Sequence, residues 1–397
     1  MARTSLDSSG LPRPVLLTSV GLLKKIIPLP VVMNVLSEKE KASIRERQLP
    51  AHFLVYLIIA LSLYMPYALR EVLRCVMEGL RSMDTTLSIA TKGAISRART
   101  RLGWEVMAAL FEKVAHPLAE QQTPGAWYRH WRLMVIDATA LALQHTKENE
   151  ETFGLPNSGN GEGAFPLLKL VSLVESGTHA VICAAIGSWK TCELALAEEV
   201  ITDLSPGMLL LEDRGFIGYA WWKKVADTQA DILCRMRKNM IFPCKKSLPD
   251  GSYLSVLRPT KGESGDPITV RVIKYTLKGV PEKESVYRVI TTILNHEEAP
   301  AMELAALYHE RWEVEGLFDE FKTHIRGGAR VLLRSKTPDL VRQEVYGLLL
   351  AHYTVRSVMH DAALCAGEDP DRISFIHTVR VLRRKLPQAA AFSPSGA

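Results

Sequence analysis

Leu133-Met134-Val135-Ile136-Asp137-Ala138-Thr139-Ala140-Leu141 places a carboxylate inside a run apolar enough to be a central strand. An unpaired charge buried in such a strand is expensive, so the position asks for a counter-charge. A second run, Met208-Leu209-Leu210-Leu211-Glu212-Asp213-Arg214-Gly215, puts Asp213 at the C-terminal end of a strand, where α/β sheets place ligands. Taken singly, either aspartate also reads as a turn former or helix cap. Taken together they read as a site, because carboxylates about 4 Å apart on neighbouring strands repel by roughly 4 kcal/mol at an effective dielectric of 20, and a bound divalent cation reverses that sign.

The text around the two runs predicts the frame that holds them. From about Val31 to Glu120 the apolar spacing is helical: Pro50 starts a helix that Pro66 stops or kinks, and the stretches 67–83, 91–102 and 105–118 follow as helices. After 121–126 the period changes to β-rich runs at 133–143, 167–175 and 179–188, the last two joined as a hairpin by Ser176-Gly177-Thr178. A helix at 190–203, a strand at 208–211, a helix at 219–227 and a strand at 231–236 complete a mixed sheet with helices on its faces. From 238 to 300 turn residues separate β-prone runs such as 268–275 and 285–294, and helices resume at Met302. The expected division is a helical N-terminal domain over 1–125, an α/β domain in two parts over 126–238 and 302–365, a β-rich insertion over 239–301, and a basic C-terminal segment and tail over 366–397.

A third acidic candidate lies where the helices resume, in Leu307-Tyr308-His309-Glu310-Arg311-Trp312-Glu313-Val314-Glu315 and the residues after it. At 100° per residue Tyr308, Arg311, Glu315 and Lys322 fall within roughly a 60° arc and make one polar stripe. Leu304, Leu307, Val314, Phe318 and Phe321 form the adjoining apolar face, which sets the stripe at the rim of whatever the helix packs on. Asp319 shares the stripe and remains a rival to Glu315. A solvated face of i,i+4 ion pairs is the alternative for the helix read alone.

Composition narrows the partners. The chain of 397 residues carries a formal net charge of +6, so binding to a polyanion depends on local clusters. Lys322, Arg326, Arg330, Arg334 and Lys336 form one acid-free run; Arg235, Arg237, Lys238, Lys245 and Lys246 a second; Arg380, Arg383, Arg384 and Lys385 a third. Three basic runs around one acidic site favour phosphate contact over three solvated faces. Lys92 to Arg101, with Arg97, Arg99 and Arg101, is a candidate recognition helix for the major groove, with a core helix whose arginines face water as its alternative. The Gly-rich stretch 153–165 lacks Gly-Lys-Ser/Thr and reads as a mobile loop, not a nucleotide cradle. Six scattered cysteines without a Cys-x-x-Cys pair argue against a zinc knuckle or a disulfide framework and fit free thiols in a reducing cytosol. The N-terminus carries no secretion signal, and the apolar segment 53–65 ends at Pro66, short of the about 20 residues a membrane span needs. No membrane association is expected.

The spacing Tyr308-x2-Arg311-x3-Glu315-x6-Lys322, with Asp137 and Asp213 upstream, resembles the DDE transposases of the bacterial insertion-sequence-4 type, and no member of that pattern is missing. The resemblance runs from about Arg45 to Lys385 and includes the stretch Leu333 to Glu344. It implies a ribonuclease-H-like, retroviral-integrase-like fold with a β-rich insertion between the second aspartate and the glutamate. It implies that Asp137, Asp213 and Glu315 hold two Mg²⁺ ions, for which Mn²⁺ can substitute, and that Tyr308, Arg311 and Lys322 contact phosphates. Arg97, Arg99, Arg101, Lys238, Arg326 and Arg330 are further candidate DNA contacts. The expected activity is cut-and-paste transposition: hydrolysis and strand transfer on double-stranded DNA at terminal inverted repeats and on target DNA, by a homodimer assembled on DNA in the nucleoid-associated cytoplasm of a bacterium. The alternatives are a metal-dependent nuclease that cuts without joining and a non-catalytic DNA-binding derivative.

Overall fold

The computed structural model describes residues 23, 25–43, 49–65, 67–81, 90–158, 161–260, 262–276, 286–310, 320 and 331–385. The chain forms two compact units, one from 1–118, 141–167 and 319–397, the other from 119–140 and 168–318.

The second unit is built on a ten-stranded mixed sheet. Its strands are β1 (Trp127–Tyr128), β2 (Trp131–Ala142), β5 (Leu167–Glu175), β6 (Val181–Ser188), β7 (Met208–Glu212), β8 (Asp231–Arg235), β9 (Lys246–Ser247), β10 (Tyr253–Leu257), β11 (Ile268–Tyr275) and β12 (Tyr287–Thr291). Two short strands, β3 (Asn157–Ser158) and β4 (Gly161–Glu162), pair apart from it in the stretch read from the sequence as a mobile loop. The order across the sheet is β6-β5-β2-β7-β8-β12-β11-β10-β9, with β1 on β2. β5 and β6 are the anticipated antiparallel hairpin. β7 runs parallel to both β2 and β8. The β-rich segment after 238 joins the same sheet, since β12 pairs antiparallel with β8 and β11, β10 and β9 follow outward. An uncovered edge of β8 is a row of unpaired backbone donors and acceptors, and the inserted strands satisfy it.

Met134, Ile136, Val171, Leu210, Ile232 and Ile290 from one face of this sheet share a buried core with Leu196, Ala197 and Val200 of a helix over Glu193–Val200 and with Trp221, Trp222 and Val225 of a helix over Tyr219–Asp227. Two buried ions carry structural roles here. Glu175 accepts from Ala119 N at 2.9 Å and Thr178 Oγ1 at 2.6 Å and pairs with Arg132. Arg271, in the middle of β11, donates to Ser252 Oγ at 2.8 Å and Ala299 O at 2.6 Å and pairs with Asp250, which in turn accepts from Ala301 N at 2.9 Å. Ala301 opens a helix over Ala301–Glu310 that packs on β8 and β11 through buried Leu304 and Leu307.

The first unit is helical: α1 (Leu29–Glu38), α2 (Ala51–Leu63), α3 (Leu69–Arg81), α4 (Lys92–Leu102), α5 (Glu105–Val114) and α6 (Lys147–Phe153) precede the sheet helices α7 (Glu193–Val200), α8 (Tyr219–Asp227) and α9 (Ala301–Glu310) in the chain, and α10 (Pro338–Ala366) and α11 (Phe375–Lys385) follow. α2 is apolar on every side and buried almost throughout, which is how a helix without a polar face is stabilised, at about 1.5–3 kcal/mol for each large side chain. It packs on α10, and Gly347 sets the closeness of that approach, because a Cβ there would lie 2.7 Å from Ile58 Cγ2. No described helix is long and apolar enough to cross a membrane.

The carbonyls at the C-terminal end of α2 point at arginines. Arg383 Nε donates to Leu63 O at 2.5 Å, and Arg334 Nη2 donates to Tyr64 O at 3.1 Å and to Met65 O. Cations there satisfy acceptors that the helix leaves open and oppose its dipole. Arg334 and Arg383, members of two of the basic runs, are therefore occupied inside the protein.

Candidate active site

β2 and β7 are neighbours and parallel, with Leu133 opposite Leu209 and Val135 opposite Leu211. Asp137 lies two residues beyond Val135, and Asp213 two beyond Leu211. Side chains alternate along a strand and neighbouring strands lie about 4.8 Å apart, so the register carries the two aspartates to one level on one face of the sheet. Both are half-buried. Asp213 directly follows the C-terminal end of β7, the end at which a crevice forms in open α/β sheets, and Asp137 lies midway along β2, just past its pairing with β7. Asp137 Oδ1 accepts from Ala138 N at 2.8 Å.

The same alternation separates Asp213 from its neighbour. Glu212 points to the other face, fully buried, where its Oε1 accepts from Trp221 Nε1 at 2.7 Å. Burial pushes its carboxyl well above the usual carboxylate range, under α8. Of two adjacent acids in the sequence, the structure offers only Asp213 to the face that Asp137 shares.

The loop after β7 is held through its backbone. Four consecutive carbonyls each have a donor: Glu212 O accepts from Tyr308 Oη at 3.0 Å, Asp213 O from Phe216 N at 3.0 Å and Cys234 Sγ at 3.3 Å, Arg214 O from Arg237 Nε at 2.8 Å, and Gly215 O from Arg237 Nη2 at 3.1 Å. Asp213, Arg214, Gly215, Arg237 and Lys238 line an open groove.

The structure places several of the expected contact residues. Tyr308, expected at a phosphate, is buried, and its hydroxyl donates to a carbonyl. Arg99, expected at DNA, is 7% exposed; its Nε donates to Gln343 Oε1 at 2.9 Å and its Nη2 to Ser335 Oγ at 3.1 Å and Leu340 O at 3.2 Å. A helix that packs one side on the interior buries every third or fourth residue, and 99 falls with Ile95, Ala98 and Leu102 on that side. Arg97 and Arg101 on the same helix are exposed, as is Lys238. Arg235, from the second basic run, lies over the Tyr287 ring at 4.8 Å from its centroid. Glu315, Arg311, Lys322, Arg326, Arg330 and the rival Asp319 lie outside the described residues.

These placements predict opposite phenotypes for arginines one helical turn or less apart. Arg99→Ala is expected to lower the unfolding free energy by about 2–3 kcal/mol, since it removes charged hydrogen bonds and leaves Gln343 Oε1 and Leu340 O without that donor. Arg97→Ala and Arg101→Ala are expected to stay within about 0.5 kcal/mol of the parent. Urea denaturation of the three variants measures both expectations, and an Arg99→Ala curve superimposed on the parent overturns the buried role.

Comparison with known proteins bears on the same segments. The family model for the transposase DDE domain matches residues 131–353, which begins at the first residue of β2 and spans both aspartates, and the model for the insertion element 4 transposase N-terminal region matches residues 17–112. The chain belongs to the DDE transposases of the insertion-sequence-4 type. This transposase is 28% identical over 381 residues to the transposase InsG for insertion sequence element IS4 of Escherichia coli K12, an alignment covering 92% of the chain and 82% of that protein. It is 26% identical over 163 residues to the putative transposase y4zB of Sinorhizobium fredii, covering 38% of the chain and 43% of the relative. Among solved structures, a piggyBac transposase synaptic complex with hairpin DNA aligns over 94% of this chain and 80% of its own at a TM-score of 0.49 and 12% identity.

Proposed function

We propose that this transposase moves DNA by cut-and-paste, hydrolysing phosphodiester bonds at insertion-sequence ends and transferring the freed 3′-hydroxyl to target DNA, with Asp137, Asp213 and Glu315 as its acidic triad on a ribonuclease-H-like sheet. The observation that carries the reading is the parallel register that sets Asp137 and Asp213 each two residues past a paired position of adjacent strands, within the segment the DDE model matches. The ribonuclease-H-like assignment rests on the hairpin β5–β6 lying beside β2, with β7 and β8 added in parallel on its other side.

The donor set suits hard cations. Two half-buried carboxylates at one level are a repulsive pair that Mg²⁺ or Mn²⁺ converts to an attractive one, and oxygen ligands are what Mg²⁺ takes. Bound there, two such ions supply Lewis acidity to the attacking and the leaving oxygen of an in-line displacement. The protein's own part is to fix the carboxylates. The satisfied carbonyls from Glu212 to Gly215 prevent the Asp213 loop from reorganising, and the Glu212 carbonyl bond ties the end of β7 to α9, the helix that leads toward Glu315. Lys238 and the exposed Arg97 and Arg101 are the described candidates for holding double-stranded DNA at terminal repeats and target. Arg311, Lys322, Arg326 and Arg330 complete the proposed phosphate contacts. Paired ends make a homodimer on DNA the natural assembly, in a bacterial cytoplasm at the nucleoid.

A strand-transfer assay separates this reading from its two rivals. With pre-nicked duplexes carrying the element's terminal repeat, a supercoiled target and Mg²⁺, the expected product is the joined species. Hydrolysis without joining identifies a nuclease, and retention of DNA without either product identifies a binding derivative.

A further inference from the structure

Two guanidinium groups, Arg237 of the second basic run and Arg288 of β12, have main-chain oxygens as partners. Arg237 donates through Nε to Arg214 O at 2.8 Å and through Nη2 to Gly215 O at 3.1 Å, the two carbonyls that follow Asp213. Its own backbone is held in turn. Arg288, on β12, donates through Nη1 to Met240 O at 3.0 Å and through Nη2 to Arg237 O at 3.2 Å and Lys238 O at 2.7 Å. Those carbonyls belong to a turn closed by Met240 N on Arg237 O at 3.2 Å, immediately after the point where Met236 N donates to Arg288 O at 2.9 Å and the β8–β12 pairing ends. A planar fork of five donors suits two carbonyls at once, which a lysine ammonium, a single point of charge, does not reproduce.

We infer that Arg288 and Arg237 act in series as positioning residues for the Asp213 loop, so that the inserted strand β12 sets the placement of a proposed metal-binding carboxylate. This rests on the reading of Asp213 as a metal ligand. It gives the inserted strands a role beyond covering the edge of β8: they supply the arginine that fixes the turn from which Arg237 reaches back. Supporting groups of this kind typically change metal affinity or activity by about 10–100-fold when lost.

The test compares Arg237→Lys, Arg288→Lys and Arg288→Gln with Asp213→Asn in the full chain. Mn²⁺ binding is followed by calorimetry, and binding of a terminal-repeat duplex by anisotropy without divalent metal. The arginine variants are expected to weaken Mn²⁺ binding about 10-fold while duplex affinity stays within about twofold of the parent; Asp213→Asn is expected to abolish the tight Mn²⁺ site. Circular dichroism checks folding, and if Arg288→Gln fails to fold, the two lysine variants decide. Parental Mn²⁺ binding in both lysine variants, with the site lost in Asp213→Asn, overturns the relay alone. Loss of duplex binding at unchanged Mn²⁺ affinity overturns it in favour of direct DNA contact. Unchanged Mn²⁺ binding in Asp213→Asn instead removes the reading of Asp213 on which the relay rests.

Discussion

Asp213→Asn is expected to bind terminal-repeat DNA like the parent and to cleave it on the order of 10³-fold more slowly in Mg²⁺, the rate equivalent of losing about 4 kcal/mol of transition-state stabilisation. The substitution is nearly isosteric, and the bonds that shape the loop run to the backbone of 213, through Phe216 N and Cys234 Sγ, so they survive it. What is lost is one of two carboxylate charges at the same level of β2 and β7. Asp137→Asn is expected to do the same from the neighbouring strand. Glu212→Gln, one residue away, serves as the contrast: its side chain is buried against Trp221 of α8, on the face away from Asp137, so cleavage should stay within a few-fold of the parent while the Trp221 bond is kept or weakened. Single-turnover cleavage with an end-labelled duplex distinguishes the three, and parental rates in Asp213→Asn remove that residue from the site.

The second large effect concerns stability. Glu320, just beyond the segment carrying Glu315, is buried with Arg356 and His352 of α10: Arg356 Nε and His352 Nε2 approach its Oε2 at 3.1 and 3.0 Å, and Arg356 Nη2 bonds its Oε1. Burial pushes the imidazole below its ordinary range despite the carboxylate, and Arg356 forms the ion pair with Glu320. Removing one member of such a pair strands a charge in the interior. Arg356→Met is expected to lower the unfolding free energy by roughly 3–5 kcal/mol, and adding Glu320→Leu to recover most of that. Guanidinium denaturation of the single and double variants measures it, and a single variant within about 0.5 kcal/mol of the parent contradicts the buried pairing.

The strand runs, the hairpin at 176–178 and the helix at 219–227 were legible because each has a period and punctuation of its own. Two interrupted apolar runs suggested that Asp137 and Asp213 belong together, and only the parallel register shows that each stands two residues past a paired position. α6, Lys147–Phe153, went unread because it has almost no apolar spacing; Thr146, whose side chain accepts from Asn149 N at 3.3 Å, was its signal. The membership of the inserted strands in the main sheet was likewise invisible, since a sequence marks a strand but not its neighbour. Arginine was the least legible residue. Arg99, Arg237, Arg288, Arg334 and Arg383 all donate to carbonyls, and nothing in a basic run tells a backbone acceptor from a phosphate. The exposed Arg97 and the buried Arg99 differ only in which side of one helix they occupy.

An anomalous-scattering map from crystals of the full chain soaked in Mn²⁺ addresses the central claim without reference to activity. The account predicts a peak within coordination distance of carboxylate oxygens from Asp137, Asp213 and Glu315 together. A peak that any one of the three does not reach, or one coordinated by Asp319 in place of Glu315, contradicts it.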